Sequence, residues 1–261
     1  MHFLYPSDPL RTKRCDDYYA AEFAAIEAAG FNASVFSLED FQTGSFRAFP
    51  NLPADATVIY RGWMLSPADY ESLVSAVSQS GACSLTDTKT YLSTHHLPNW
   101  YTLILEFTPE TRIFPVNADL ATELRSLGWN EYFIKDYVKS LKTSIGSRIS
   151  TPEQAAIVAC EMRQFRGTIE GGFCVRRIED FLPETEKRYF VLNSVPSSMI
   201  GAIPPIVSEC ARRIQSPFFS VDVVQRTDGV LRIVELGDGQ VSDLVGWTPA
   251  RFAEILSERY V

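Results

Sequence analysis

Short apolar runs alternate with amphipathic helix patterns over the first third of the chain, and that alternation is the strongest constraint on how it can fold. Residues 3–5, 33–36, 58–60 and 83–85 read as strands. Between them, Asp16 can cap a helix with Tyr19, Phe23 and Ile26 on one face, ended by Gly30. Residues 67–78 carry Tyr70, Leu73 and Val74 on one face of a second helix. Such a chain forms a small open α/β sheet, in which ligands gather at the carboxyl ends of the strands. Arg61-Gly62-Trp63 follows a strand directly and stands at such an end.

The 261 residues suffice for one large domain or two small ones, and 46% hydrophobic content supports a full core. A net charge of -8 argues against general nucleic-acid binding, but local Lys and Arg can still hold a nucleotide's phosphates. The five cysteines include no C-x-x-C pair, which points to reduced thiols in a cytoplasmic protein. The N-terminus shows no signal-peptide pattern, and no apolar run approaches the ~18 residues of a membrane span.

The middle is less regular. Residues 88–101 contain Lys89, His95, His96 and the turn-like Leu97-Pro98-Asn99-Trp100. Residues 132–134 read as a strand. Thr151, Pro152 and Gln154 open a helix with a capping box. In the last third, strands are expected at 173–175 after Gly171-Gly172, at 188–192, at 219–225 and at 230–236. Helices are expected at 205–214 and after Thr248.

The last two strands form the most informative local feature. If Asp228-Gly229 is a two-residue type I′ loop, Thr227 pairs with Val230 and Asp222 lies opposite Glu235. Their Cβ atoms would then be roughly 4.5–5.5 Å apart, a like-charge conflict within apolar runs. A cation such as Mg²⁺ would remove it, with Asp238 and Gln240 offering further oxygens. Hydration of an exposed strand end is the alternative.

Lys135, Lys139 and Lys142 follow the strand at 132–134, either as a solvated surface or as phosphate ligands. Arg176 and Arg177 end one strand, and Arg188 lies in another. Buried arginines need anionic partners, which a triphosphate or acidic neighbours can supply.

In order along the chain, Tyr60-Arg61-Gly62-Trp63, Phe133-Ile134-Lys135-Asp136, Gly172-Phe173-Cys174-Val175-Arg176 and Glu235-Leu236-Gly237-Asp238-Gly239-Gln240 resemble the ATP-grasp superfamily, in the clade marked by one arginine and two lysines. The resemblance implies an α/β and α+β ATP-grasp fold. A small pre-ATP-grasp domain would span residues 1–86 and an ATP-grasp domain residues 87–261, its two subdomains split near 170–180. It implies that Lys135 and Lys139 contact ATP phosphates and that Arg176 is the signature arginine. Arg177, Ile178, Glu179 and Phe181 would belong to the hinge that holds adenine. Arg188 would bind phosphate or acyl-phosphate, and Asp222 and Glu235 would bind Mg²⁺ with Asp238 as a further ligand. Arg61, Lys89, His96 and Gln240 are candidates on the substrate side. Two features depart from the pattern. Gly237 stands where many members have Asn, and residues 139–148, in the place of a glycine-rich phosphate loop, hold only Gly146.

The implied reaction is ADP-forming ligation of a carboxylate to an amine or related nucleophile through an acyl-phosphate. It needs no protein nucleophile, and Lys135, Arg176 and Arg188 would supply the catalytic charges. The expected partners are a small-molecule or peptide carboxylate and an amine acceptor, with homo-oligomerisation open. The alternatives are a phosphotransferase on the same scaffold and an inactive nucleotide-binding partner.

Overall fold

In the computed structural model, which describes residues 1–140, 144–166 and 169–260, the N-terminal alternation becomes a six-stranded sheet. Its main path runs Ala48–Phe49, Asn32–Phe36, His2–Asp8, Thr57–Tyr60, Cys83–Ser84, and Arg11–Cys15 pairs antiparallel with His2–Asp8. The strands Asn32–Phe36, His2–Asp8, Thr57–Tyr60 and Cys83–Ser84 are parallel to one another, and Ala48–Phe49 pairs antiparallel with Asn32–Phe36. Alternation along each strand gives the sheet two apolar faces. Phe3, Tyr5, Val35 and Ile59 pack with Ile26 of the helix Ala20–Ala28 and with Phe252, Ile255 and Leu256 of the helix Pro249–Tyr260. Leu4, Phe36, Val58 and Tyr60 pack with Tyr70, Leu73 and Val77 of the helix Pro67–Gln79.

Asp16 does not cap the first helix. Its carboxylate accepts from the Tyr18 N–H at 2.8 Å in the preceding turn, so the helix begins only at Ala20. The turn signal at 97–100 is likewise a short helix, Leu97–Tyr101, with proline in its first turn.

The chain divides into two compact units. The first comprises Met1–Thr94, Lys187–Val221 and Gly237–Val261, and the second His95–Glu186 and Asp222–Leu236. These units are discontinuous in sequence, whereas the boundary expected near residue 86 is sequential.

The second unit holds an antiparallel sheet in the order Thr111–Pro115, Gly172–Arg177, Tyr132–Asp136, Arg148–Ile149. One face, with Tyr132, Ile134, Phe173 and Val175, packs on Leu124 of the helix Leu120–Leu127 and on Val158 and Met162 of the helix Gln154–Arg166. The capping expectation is met in half at the latter: Gln154 Oε1 accepts from the Thr151 N–H at 3.1 Å, but the Gln154 N–H donates to the Thr151 backbone O at 3.2 Å and the helix begins at Gln154 rather than at Pro152. Gly171 is fixed by packing, because a Cβ there would lie 2.1 Å from Tyr137 Cδ2 and its φ is +73°. Gly171→Ala should therefore destabilise the protein by about 1–3 kcal/mol. Urea unfolding would measure it, and an unchanged midpoint would contradict this packing.

A third sheet runs Val195–Ser198, Phe181–Leu192, Phe218–Arg226, Leu231–Asp238. The terminal hairpin corrects the sequence count. Arg226 N–H donates to Val230 O at 2.8 Å and Gly229 N–H to Arg226 O at 2.9 Å, so the loop is Thr227-Asp228-Gly229. A type I′ turn needs positive φ at both loop positions, and of Asp228 and Gly229 only Gly229 has it, at +88°. Asp228 instead accepts from the Val230 N–H at 3.2 Å and from Arg226 Nε at 3.1 Å. The count that set Asp222 opposite Glu235 no longer follows.

Candidate functional site

The second unit's sheet turns basic side chains away from its apolar core. Lys135 pairs in register with Cys174, and Arg176 with Phe133. Cross-strand partners share a face, and so do residues two apart. Lys135 and Arg176 therefore stand on one face, opposite Ile134 and Val175. Both are almost fully buried, at 5% and 6% exposure. They line a cleft of about 510 Å³ that also includes Arg177, Ile178, Glu179, Phe181 and Glu235. Ile178, Phe181 and Val224 give it apolar wall, and residues 178–180 are the irregular connection between the strands Gly172–Arg177 and Phe181–Leu192.

Each buried cation has only part of its valence met by protein. Lys135 Nζ donates to Glu235 Oε1 at 3.3 Å, and that carboxylate side chain is 44% exposed. Arg176 donates through Nη1 to Val234 O and through Nη2 to Thr108 Oγ1 at 2.5 Å, while its buried Nε has no hydrogen-bond partner among the described residues. Burial lowers the Arg176 pKa to about 10, against the pull of Glu235 and Glu179. An unsatisfied buried donor beside a buried ammonium, in a cleft of this volume, suits a polyanion with an apolar head group.

The remaining candidates in this unit are placed as follows. Lys139 is exposed in the turn after Tyr132–Asp136, where its N–H donates to Asp136 Oδ1 at 2.6 Å. Lys142 lies outside the described residues. Asp222 is buried in the strand Phe218–Arg226. His96 Nε2 is 2.7 Å from Glu170 Oε1. Among the described residues no group of three or more His, Cys, Asp and Glu side chains is gathered for a metal.

Neighbouring His95 is buried, and burial followed by His96 and the lysines holds its pKa at about 3. It is neutral when folded, but the unfolded residue takes a proton near pH 6.5. The stability contributed by this group is thus complete above that pH and is lost as pH falls toward 3. His95→Gln should flatten the decline in the urea midpoint between pH 7 and pH 5, and an unchanged slope would contradict the assignment.

Other candidates belong to the first unit. Arg61 is fully buried: Nε and Nη2 fork onto Glu22 at 2.7 Å each, and Nη1 donates to Gly239 O and to Ser242 O, the latter at 2.9 Å. Four of its five donor hydrogens are thus used, two of them to hold the 239–242 turn. Burial opposes its charge, yet Glu22 raises its pKa above the usual arginine value. Gln240 accepts from the Tyr60 N–H at 3.1 Å and donates to Tyr70 Oη at 2.6 Å. Asp238 is buried, and burial raises its pKa to about 7 despite the Gln240 bonds. Lys89 is exposed on the helix Thr88–His95. Arg188 Nη1 donates to Asp243 O at 2.7 Å.

Two residues beside the cleft escaped the sequence reading, Thr108 and Arg232. Arg232 forks onto Glu179 at 2.9 and 2.8 Å and donates to Glu106 O and Thr108 O at 2.6 Å each. Arg232 stands between Leu231 and Ile233 in an otherwise apolar stretch of its strand, which was a signal, but its partners are far away in sequence.

The fold is that of ATP-grasp ligases. The D-cycloserine synthetase DcsG is similar over 99% of both chains, with a TM-score of 0.67 at 13% identity. The ATP-grasp ligase PsnB, in complex with a minimal precursor, Mg and ADP, is similar over 98% of this chain and 97% of its own, with a TM-score of 0.60 at 12% identity. D-alanyl-alanine synthetase A from Vibrio cholerae is similar over 99% of this chain and 96% of its own, with a TM-score of 0.64 at 10% identity. The family model for the ATP-grasp domain of the one-arginine, two-lysine clade, family 3, matches residues 123–256. The chain belongs to that family, as the resemblance in its sequence anticipated. No curated protein matches it significantly in sequence. No helix among the described residues is long and apolar enough to cross a membrane.

Proposed function

We propose that the protein is an ATP-dependent ligase that joins a carboxylate to an amine, or to a related nucleophile, through an acyl-phosphate. One observation carries the reading: Lys135 and the partly unsatisfied Arg176 are buried side by side on the cleft face of one sheet. Burying two cations there is costly unless an anion completes their coordination, and a triphosphate supplies that charge. Ile178, Phe181 and Val224 would take the adenine, and the backbone of residues 177–181 would read its edge. Lys139 would close over the phosphates from the adjoining turn.

Asp222 and Glu235 would hold Mg²⁺. Their all-oxygen donor set suits that hard cation, and phosphate oxygens or water would complete the coordination. The metal, when bound, neutralises phosphate charge. Lys135 and Arg176 would orient the γ-phosphoryl group for attack by the substrate carboxylate and offset the charge that builds as ADP leaves. The amine then displaces phosphate.

The roles given to Arg188, Asp238, Arg61, Lys89, His96 and Gln240, and the division at residue 86, remain proposals drawn from the sequence resemblance. PsnB's complex with a precursor supports including short peptides among the substrates to be tried. A panel of amino acids and short peptides should be screened for ADP release, singly and in pairs. ADP and phosphate are expected only when an acid and a nucleophile are both present. ATP binding without turnover across the whole panel would favour an inactive nucleotide-binding partner.

A further inference from the structure

The tie between the hinge and the phosphate-facing arginine runs through a residue that does not line the cleft. Glu179 sits in the connection at 178–180, and its carboxylate is taken by the Arg232 fork. Arg226 Nη1 adds a weaker contact at 3.5 Å. The same Arg232 guanidinium reaches the carbonyls of Glu106 and Thr108. The Thr108 hydroxyl donates to Ile233 O at 2.8 Å and accepts from Arg176 Nη2 at 2.5 Å. A second strap joins Thr227 N–H to Asp180 O at 2.9 Å. A continuous path of hydrogen bonds thus runs from Glu179 through Arg232 and Thr108 to Arg176, all within the second unit.

A guanidinium is suited to this place. Its planar fork fixes both carboxylate oxygens while its remaining hydrogens reach two carbonyls, which a lysine's point charge cannot do in one geometry. The fork also occupies the carboxylate of Glu179, a residue that otherwise borders the cleft and would repel a triphosphate.

We propose that Arg232 is a positioning residue of the nucleotide site: it holds the hinge and, through Thr108, aims Arg176, and so sets nucleotide affinity without touching the nucleotide. This rests on the reading of the cleft as an ATP site.

The test is ATP affinity by isothermal titration calorimetry, well below each variant's melting point, for wild type, Arg232→Gln, Thr108→Val and the double variant. Arg232→Lys replaces Arg232→Gln if the latter does not fold. Arg232→Gln should weaken ATP about tenfold and Thr108→Val several-fold. The double variant should lose less than the product of the two, because both break one path. Leu124→Ala, which opens a void in the same unit on the sheet face away from Lys135 and Arg176, should bind ATP as wild type does and separates positioning from general loss of stability. Wild-type affinity in Arg232→Gln, multiplicative losses in the double variant, or an equal loss in Leu124→Ala would each overturn the proposal. A wild type that binds no ATP would overturn the nucleotide reading beneath it.

Discussion

Glu235→Gln is expected to cut ATP turnover by at least about 100-fold while leaving the protein folded. Loss of a residue that merely supports a metal ligand typically costs 10–100-fold, so loss of a ligand charge sets a higher floor. The side chain is half exposed, and its one described protein contact is Lys135 Nζ at 3.3 Å. An amide of the same shape can keep an oxygen facing that ammonium but brings no charge to Mg²⁺. The loss should therefore appear in turnover and in its Mg²⁺ dependence rather than in the urea midpoint. Asp222→Asn should behave alike in turnover. No gain in stability is expected from it, because the three-residue loop removes the reason to set Asp222 opposite Glu235. Near-wild-type turnover in both variants would remove these carboxylates from the metal site.

Lys135→Ala is expected to weaken ATP binding by tenfold or more, since a charge-assisted phosphate contact contributes about 1.5–3 kcal/mol. The partner left behind, Glu235, is open enough for water to solvate it, so little of the effect should come from unfolding. Arg163→Ala is a useful comparison. Arg163 is exposed on the helix Gln154–Arg166, where it donates to Val116 O at 2.9 Å, and its loss should leave ATP affinity unchanged. Equal affinity in wild type and Lys135→Ala would take Lys135 out of the site.

Much of this architecture was legible because local and long-range preferences agreed. The parallel strands at the N-terminus are buried on both faces and read as apolar runs. Lys135 was read as following a strand and Arg176 as ending one, and the order along the chain of the strings that contain them carried the family resemblance; the structure extends both strands to include these cations. Gln154 and Thr248 announced helix starts by side chains that do accept from the expected backbone groups. Arg11–Cys15 was illegible for the opposite reason: four of its five residues are exposed and no alternation marks it as a strand. The helix Leu120–Leu127 had readable signals, Asp119 at its start and the left-handed Gly128 at its end, and was missed.

The candidate site was legible only in part. Arg61 was legible as a residue at a strand's carboxyl end and as a substrate-side candidate, but nothing local identified Glu22, 39 positions away, as the partner that takes its fork. Arg232 and Thr108 are 124 positions apart and meet only once two strands and a turn are assembled. The hairpin failed on a finer point. Asp-Gly favours a type I′ loop, but here the Asp228 carboxylate bonds to the backbone and to Arg226, and that local competition selects a loop one residue longer.

The central claim, ligation through an acyl-phosphate, is tested most directly by trapping. The protein would be incubated with ATP, Mg²⁺, hydroxylamine and an acid that supports ADP release, with the amine omitted. The acid's hydroxamate should accumulate in equal amount to ADP and phosphate, and Lys135→Ala should reduce all three together. A stable phosphorylated product with no hydroxamate would point instead to phosphotransfer. AMP and pyrophosphate would contradict both readings, because they require attack at the α-phosphorus of ATP.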